Sequence, residues 1–224
     1  TKFDAIYSDG DYEAAIESFI RLVKGDIRED DLEGIFLVKK CGLIKTNRGR
    51  MIDFDLLGFS RLERVPIKQY NHLNKDKKIN ITLSRGCPFS CPHCLVQRSE
   101  GHIDRRRNLN KLEEYLKTIY PTYDDIKVFS PNFTLKKKYV HDFCRLIRER
   151  FPKMTWDCAT RVDLVDDEEL LKDMNQSGCN QITLGVETAS QKELDNIGKK
   201  YDLGLLSKRI KRIISHGIIV KACV

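Results

Sequence analysis

From Ile79 onward, short β-branched apolar runs alternate with longer stretches whose apolar residues recur at helical spacing. Runs of strand length start near Ile79, Ile126, Thr155, Ile182 and Ile218, mostly about 30 residues apart, the interval a strand–helix unit needs. Between them lie three apolar stripes: Tyr139, Val140, Phe143, Leu146 and Ile147; Leu170, Leu171 and Met174; and Leu205, Leu206, Ile210, Ile213 and Ile214. Gly178 and Gly217 stand where the last two helices should close. Asn110 with Glu113, Ser190 with Glu193, and Asp166 with Glu169 have the spacing of a side-chain cap followed by a carboxylate. Alternating units of this kind make a parallel sheet or barrel, and the chain reads as ending inside its fifth strand.

Before Ile79 the pattern changes. Residues 4–7 could close a strand, and Tyr12, Ala15, Ile16, Phe19 and Val23 share one face of a helix that Gly25 ends. Ile35–Lys39, Gly42–Lys45 and residues 51–54 read as short strands. So few apolar positions make a poor core on their own. Residues 1–75 therefore read as the end of another α/β domain with a polar linker near residues 71–78, and residues 76–224 as a partial parallel barrel.

Composition narrows the classes. The chain has 224 residues, 41% hydrophobic and 33% charged, which suits a globular protein. No apolar run approaches membrane-spanning length, so no membrane partner is expected. No secretory pattern opens the chain, and eight cysteines then suit a reducing compartment, so a cytoplasmic location is expected. The net charge of +7 leaves a nucleic-acid partner open. Arg105-Arg106-Arg107 and Lys136-Lys137-Lys138 read as solvated surface, without the interleaved aromatics that single-stranded sites use. No G-x-G-x-x-G and no P-loop is present, which argues against a dinucleotide fold or an NTPase.

The chemistry concentrates after the first of these strands, in Arg85-Gly86-Cys87-Pro88-Phe89-Ser90-Cys91-Pro92-His93-Cys94. The spacing is C-x3-C-x2-C. Thiolates suit iron–sulfur clusters and zinc. Three cysteines on a cubane of four irons leave one iron open to a small molecule. A structural zinc would need a fourth ligand, with His93 and His102 on offer, and no second C-x2-C pair exists. In parallel barrels the site lies where strands end. The second strand ends in Phe129-Ser130-Pro131-Asn132-Phe133-Thr134, where Thr134 could cap a helix. The third ends at Arg161, which could bind a carboxylate or pair with Asp163 or Asp166. The fourth runs into Glu187, which needs an ammonium, a diol or a helix N-terminus as partner.

The cysteine spacing just after a strand resembles the signature of the radical S-adenosylmethionine enzymes. Trp156-Asp157-Cys158-Ala159-Thr160-Arg161 and Leu184-Gly185-Val186-Glu187-Thr188 resemble that family's third- and fourth-strand motifs. Ser177-Gly178-Cys179 and Asp9-Gly10-Asp11-Tyr12-Glu13 are similar to the branch with an N-terminal cobalamin-binding domain. The resemblance implies a partial (βα) barrel of the radical type and a [4Fe-4S] cluster on Cys87, Cys91 and Cys94. It also implies S-adenosylmethionine held by Arg161 and Glu187, with Ser130 and Asn132 near its amino group and His93 near its adenine. Ser130 and Pro131 stand where the branch often has paired acidic residues. Cobalamin is an optional third cofactor, since no D-x-H-x-x-G pattern occurs.

The activity implied is reductive cleavage of S-adenosylmethionine to a 5′-deoxyadenosyl radical, for methylation or rearrangement of an unknown substrate. A flavodoxin or ferredoxin would be the electron donor. Two alternatives remain. One is methylthiolation of tRNA, which the charge favours but which usually needs upstream cysteines where only Cys41 occurs. The other is a zinc-bound nucleic-acid-binding module.

Overall fold

A computed structural model describes residues 3–65, 78–120, 122–199 and 201–224. The polar linker near residues 71–78 lies outside them except for Lys78, as does the boundary between residues 75 and 76. The described chain forms two compact units, one of residues 1–56 with 85–105 and one of residues 57–84 with 106–224.

In the first unit, β1 (Ala5–Tyr7), β2 (Ile35–Lys39) and β3 (Gly42–Lys45) form an antiparallel sheet in that order. Helix α1 (Tyr12–Lys24) ends at Gly25, whose φ of 80° makes the left-handed turn. The buried face of α1 differs from the expected stripe. Ala14, Ala15 and Ser18 are buried, with Phe19 and Leu22 packed beside them, whereas Tyr12, Ile16 and Val23 are exposed. The small core of Ala15, Leu32, Ile35 and Leu37 fits only small side chains at the closest approach of the helix. Residues 51–54 form no strand. The Ile52 amide donates to the Asp11 carboxylate at 2.7 Å, the Asp11 amide donates to the Arg50 carbonyl at 3.0 Å, and a 3₁₀ turn follows at Phe54–Leu56. A side chain has taken the donor that a ladder would have used. Helix α2 (Val96–Glu100) follows the cysteines in this unit.

The second unit is built on five parallel strands lying side by side in chain order: β4 (Lys78–Thr82), β5 (Asp125–Phe129), β6 (Thr155–Arg161), β7 (Cys179–Gly185) and β8 (Ile219–Cys223). Helices α3 (Leu109–Ile119), α4 (Lys137–Arg150), α5 (Glu168–Gln176), α6 (Gln191–Asn196) and α7 (Leu206–Ser215) fill the crossovers. Sequential parallel order with helical crossovers is the organisation of a partial (βα) barrel.

Two of the three caps sit elsewhere than the spacing suggests. Asn108 caps α3 through the Asn110 amide and Asp167 caps α5 through the Leu170 amide, while Ser190 caps α6 as expected. Thr134 caps nothing; its hydroxyl meets that of Thr160 at 2.6 Å. Both faces of β6 are covered, so Trp156, Asp157 and Cys158 are buried in succession. Trp156 meets Phe143 and Phe133 edge to face at 5.1 and 5.6 Å and donates to the Ser177 carbonyl at 3.0 Å. Asp157 is paired with Lys78 at 2.6 Å, which offsets the cost of burying a carboxylate.

Candidate functional site

The cysteine segment is a loop with a fastened stem. Gly86 has φ 84°, and a Cβ there would lie 2.1 Å from the Ile103 carbonyl oxygen, so only glycine fits where the two ends of the loop meet. The Gly86 amide donates to the Glu100 carboxylate at 3.0 Å and the Cys87 amide to the Gly101 carbonyl at 3.1 Å. Burial pushes the Glu100 carboxyl above its usual range, opposed by the Gly86 amide and by the charges of Arg85 and Arg105. A tight turn brings the Cys94 amide to the Cys91 carbonyl at 3.0 Å, and the Gln97 side chain donates to the Phe89 carbonyl. Cys87 is buried, Cys91 and Cys94 are half-buried, and His93 is exposed. No cysteine of the chain is in a disulfide.

The donor set suits a cluster better than a single ion. Among the described residues no three His, Cys, Asp or Glu side chains converge as ligands of one metal ion. Tetrahedral zinc with Zn–S near 2.3 Å would draw its sulfurs to roughly 4 Å apart. A cubane asks for the opposite, one thiolate per iron, at corners spread over the cluster. Three thiols on one tied loop, with no second C-x2-C pair in the sequence to complete a zinc site, are chemically suited to that group.

The second unit presents its polar residues where its strands end. Ser130 directly follows β5, is buried, and shares a hydrogen bond with the Ser84 hydroxyl. Asn132 is buried, and its carbonyl accepts from Arg106 at 3.2 Å. Arg161 closes β6 and grips Asp163 at two points, Nε and Nη2 each at 2.9 Å from a carboxylate oxygen. In register, Arg161 lies opposite Gly185, the last residue of β7. Two residues further on, Glu187 has φ 70°, the one non-glycine with positive φ among the described residues. For an L-residue that conformation is strained and is held by surrounding structure. The Glu187 amide donates to the Cys223 carbonyl at 2.8 Å, and its carboxylate meets the Lys199 ammonium at 2.6 Å. Lys199 is buried and also donates to the Gly185 carbonyl at 2.8 Å. Tyr201 donates to the Val186 carbonyl at 2.9 Å. A Cβ at residue 185 would come within 2.7 Å of the Lys199 ammonium, so Gly185 leaves the space this ion pair occupies.

Arg161, Glu187, Ser130 and Asn132 thus share the carboxyl-end edge of one parallel sheet, while Cys87, Cys91, Cys94 and His93 share one loop. For Arg161 the ion pair with Asp163 weighed from the sequence is present. For Glu187 the helix-cap alternative is not, since Ser190 caps α6 and Lys199 holds the carboxylate. Sequence reasoning did not find Lys199. It follows Gly198 in a polar stretch, and nothing in that pattern marks it as buried.

Comparison with known proteins bears on the family and the fold. A family model described as the radical SAM superfamily matches residues 81–224, more than half of the chain. An uncharacterized methyltransferase of Pyrococcus horikoshii, PH0819, is 30% identical over 193 residues, covering 81% of this chain and 40% of the relative. The 4′-phospho-dehydrooxetanocin synthase of Priestia megaterium is 25% identical over 219 residues, covering 85% and 28%. The chain therefore spans less than half the length of these curated relatives. The cobalamin-dependent S-adenosylmethionine radical enzyme OxsB, solved with aqua-cobalamin bound, superposes with a TM-score of 0.79 at 19% identity, over 94% of this chain and 32% of that one. The radical S-adenosylmethionine methyltransferase TsrM from Kitasatospora setae superposes with a TM-score of 0.72 at 14% identity, over 96% and 44%. At these identities the two structures show a shared fold.

Proposed function

The chain belongs to the radical SAM superfamily, and we propose that Cys87, Cys91 and Cys94 hold a [4Fe-4S] cluster whose open iron takes S-adenosylmethionine. When bound, such a cluster supplies one electron to S-adenosylmethionine, which parts into methionine and a 5′-deoxyadenosyl radical. The protein's share is to bind, orient and exclude water. The observation that carries the reading is the C-x3-C-x2-C loop on a glycine-fastened stem, following the first strand of a parallel sheet whose third strand ends at Arg161 and whose fourth ends two residues before Glu187.

Each residue has a role suited to its chemistry. Arg161 offers a planar cation at a strand end, already used in two-point fashion by Asp163, and a ligand carboxylate presents the same geometry. Glu187 offers an acceptor for a ribose diol or an ammonium, pre-aimed by Lys199. Ser130 and Asn132 supply buried polar groups beside Arg161's strand for the amino group. His93, exposed on the loop, lies beside the third cysteine and is assigned to the adenine.

The reaction class follows the relatives' names, methyltransferase and synthase, and is methylation or rearrangement of a substrate these residues do not identify. We assign residues 1–75 to the end of a cobalamin-binding type of domain, because OxsB and TsrM match nearly all of this chain and OxsB is named as cobalamin-dependent. No D-x-H-x-x-G pattern occurs among these 224 residues, so none of them is assigned to cobalamin. The chemistry requires a one-electron donor, for which a protein such as flavodoxin or ferredoxin is proposed, and the cytoplasm is proposed as the compartment because such thiols stay reduced there. No described helix is long and apolar enough to cross a membrane.

The test is product analysis. The reconstituted chain with dithionite and S-adenosylmethionine should release 5′-deoxyadenosine and methionine, and Cys91→Ala should release neither. Equal product from both would remove the cluster from the reaction.

A further inference from the structure

The cysteine loop is bracketed by two arginines, Arg85 before Gly86 and Arg105 after Asp104, and both reach the same carboxylate. Asp11 is 1% exposed. Its Oδ2 accepts from Arg105 Nη1 at 2.5 Å and from the Ile52 amide at 2.7 Å. Its Oδ1 accepts from Arg105 Nη2 at 3.0 Å and from Arg85 Nη1 at 3.3 Å. Arg85 is fixed further by a two-point grip on Glu13 at 2.6 and 2.7 Å, by the Tyr12 hydroxyl at 2.7 Å, and by the rings of Tyr12 and Phe54 at 4.6 and 5.0 Å. Arg105 also donates to the Glu100 carbonyl at 2.8 Å and the Ile52 carbonyl at 2.6 Å. Burial pushes the Asp11 carboxyl up, but the Arg105 bonds, the Ile52 amide and the two guanidinium charges outweigh it and hold the group below its usual range.

From this geometry we infer that Asp11 is a positioning residue for the proposed cluster site, acting through Arg85 and Arg105 to clamp both ends of the cysteine loop. The physical reason is entropic. A loop of about 20 residues held only at Gly86 and Ile103 could open at little cost. One buried anion shared by two cations makes the two stems depend on each other. Losing the Arg105 grip leaves the buried Asp11 carboxylate with only the longer Arg85 bond and the Ile52 amide, an under-satisfied buried charge that is costly, so the loop's far stem is slow to leave the clamp. The segment before the sheet-bearing unit therefore has a function at the cysteines. It supplies the anion around which their loop closes. This inference rests on the cluster assignment above for its catalytic meaning, but the clamp itself can be read without a cluster.

The experiment compares the parent chain with Asp11→Asn, which keeps the shape and removes the charge. In the metal-free, reduced chain, alkylation of Cys87 is followed by mass spectrometry together with amide exchange in β2 and β3. The inference predicts Cys87 alkylation about tenfold faster, with β2 and β3 exchanging at parental rates. In the cluster-loaded chain, loss of the visible iron–sulfur absorption to a chelator should be faster by a similar factor. Asp167→Ala, which removes the α5 cap and destabilises the molecule elsewhere, should change neither rate at the loop. If Asp11→Asn does not fold, Arg105→Lys keeps the charge and loses the two-point grip, and the same rates decide. Cys87 alkylation within twofold of the parent, or acceleration spread equally over β2 and β3, would overturn the inference. A parent chain that takes up no iron would overturn the cluster assignment instead, and the alkylation rates would still decide the role of Asp11.

Discussion

Lys199→Met removes the ammonium beneath Glu187 while keeping most of the side chain's packing. The ammonium makes two charge-assisted bonds, to Glu187 at 2.6 Å and to the Gly185 carbonyl at 2.8 Å, and only 6% of its side chain is exposed. Each such bond is worth about 1.5–3 kcal/mol net. Breaking a fully buried pair costs about 3–5 kcal/mol because the other charge is stranded. The Glu187 side chain is 33% exposed, so water recovers part of its solvation, and we expect a loss of about 2–3 kcal/mol. The assay is urea unfolding at pH 7 of the parent, Lys199→Met, Glu187→Gln and the double variant. The two single losses should exceed the double by about 1.5 kcal/mol or more, because each strands the same partner. Since Lys199 also holds Glu187 in its left-handed conformation, Lys199→Met should weaken S-adenosylmethionine binding about tenfold, roughly 1.4 kcal/mol. A Lys199→Met chain within about 0.5 kcal/mol of the parent, or strictly additive losses, would refute the reasoning.

Other expectations concern the remaining site residues. Arg161→Ala and Glu187→Ala should each weaken S-adenosylmethionine about ten- to hundredfold in anaerobic calorimetry while iron content stays at the parental level. Cys87→Ala, Cys91→Ala and Cys94→Ala should each abolish the cluster, whereas Cys144→Ala, Cys158→Ala, Cys179→Ala and Cys223→Ala should leave iron content largely intact. Burial pushes the Cys144 thiol up to about 12 and the Cys179 thiol well above its usual value, so both should resist alkylation at pH 8 in the folded chain while Cys91 and Cys94 react. Asp11 and Glu13 are both held below their ordinary values of 3.8 and 4.5, burial being outweighed in each by hydrogen bonds and guanidinium charges. Their contribution is therefore full above those values and is lost as pH falls through the lower folded ones. In the metal-free chain, amide exchange of the cysteine loop, corrected for its intrinsic rate, should rise below about pH 4 and stay level between about pH 6 and 8.

The strands and helices of the parallel sheet were legible because period and length carry them. The five apolar starts near Ile79, Ile126, Thr155, Ile182 and Ile218 lie within a few residues of β4 to β8. What was not legible depends on partners far along the chain. The α1 face was misassigned because Tyr12, Ile16 and Val23 are large and apolar, yet the small core of the first unit admits Ala14, Ala15 and Ser18. The strand expected at residues 51–54 was pre-empted by Asp11, about 40 residues upstream, which captures the Ile52 amide. The cysteine motif announces itself by spacing, and Arg161 and Glu187 by position at strand ends. Lys199 and Arg85 carry no local signal, and the run Arg105-Arg106-Arg107, read as solvated surface, instead has Arg107 buried and Arg105 paired with the buried Asp11, because a buried ion pair is a property of where two segments meet.

The central claim is that three cysteines hold a cluster with one open iron. Its most direct measurement is electron paramagnetic resonance of the anaerobically reconstituted, dithionite-reduced chain before and after S-adenosylmethionine, with iron and acid-labile sulfide assayed on the same sample. The account predicts about four irons and four sulfides per chain. It also predicts a reduced-cluster signal whose g values shift when S-adenosylmethionine binds. A chain that binds zinc in place of iron, or a cluster signal indifferent to S-adenosylmethionine, would contradict it.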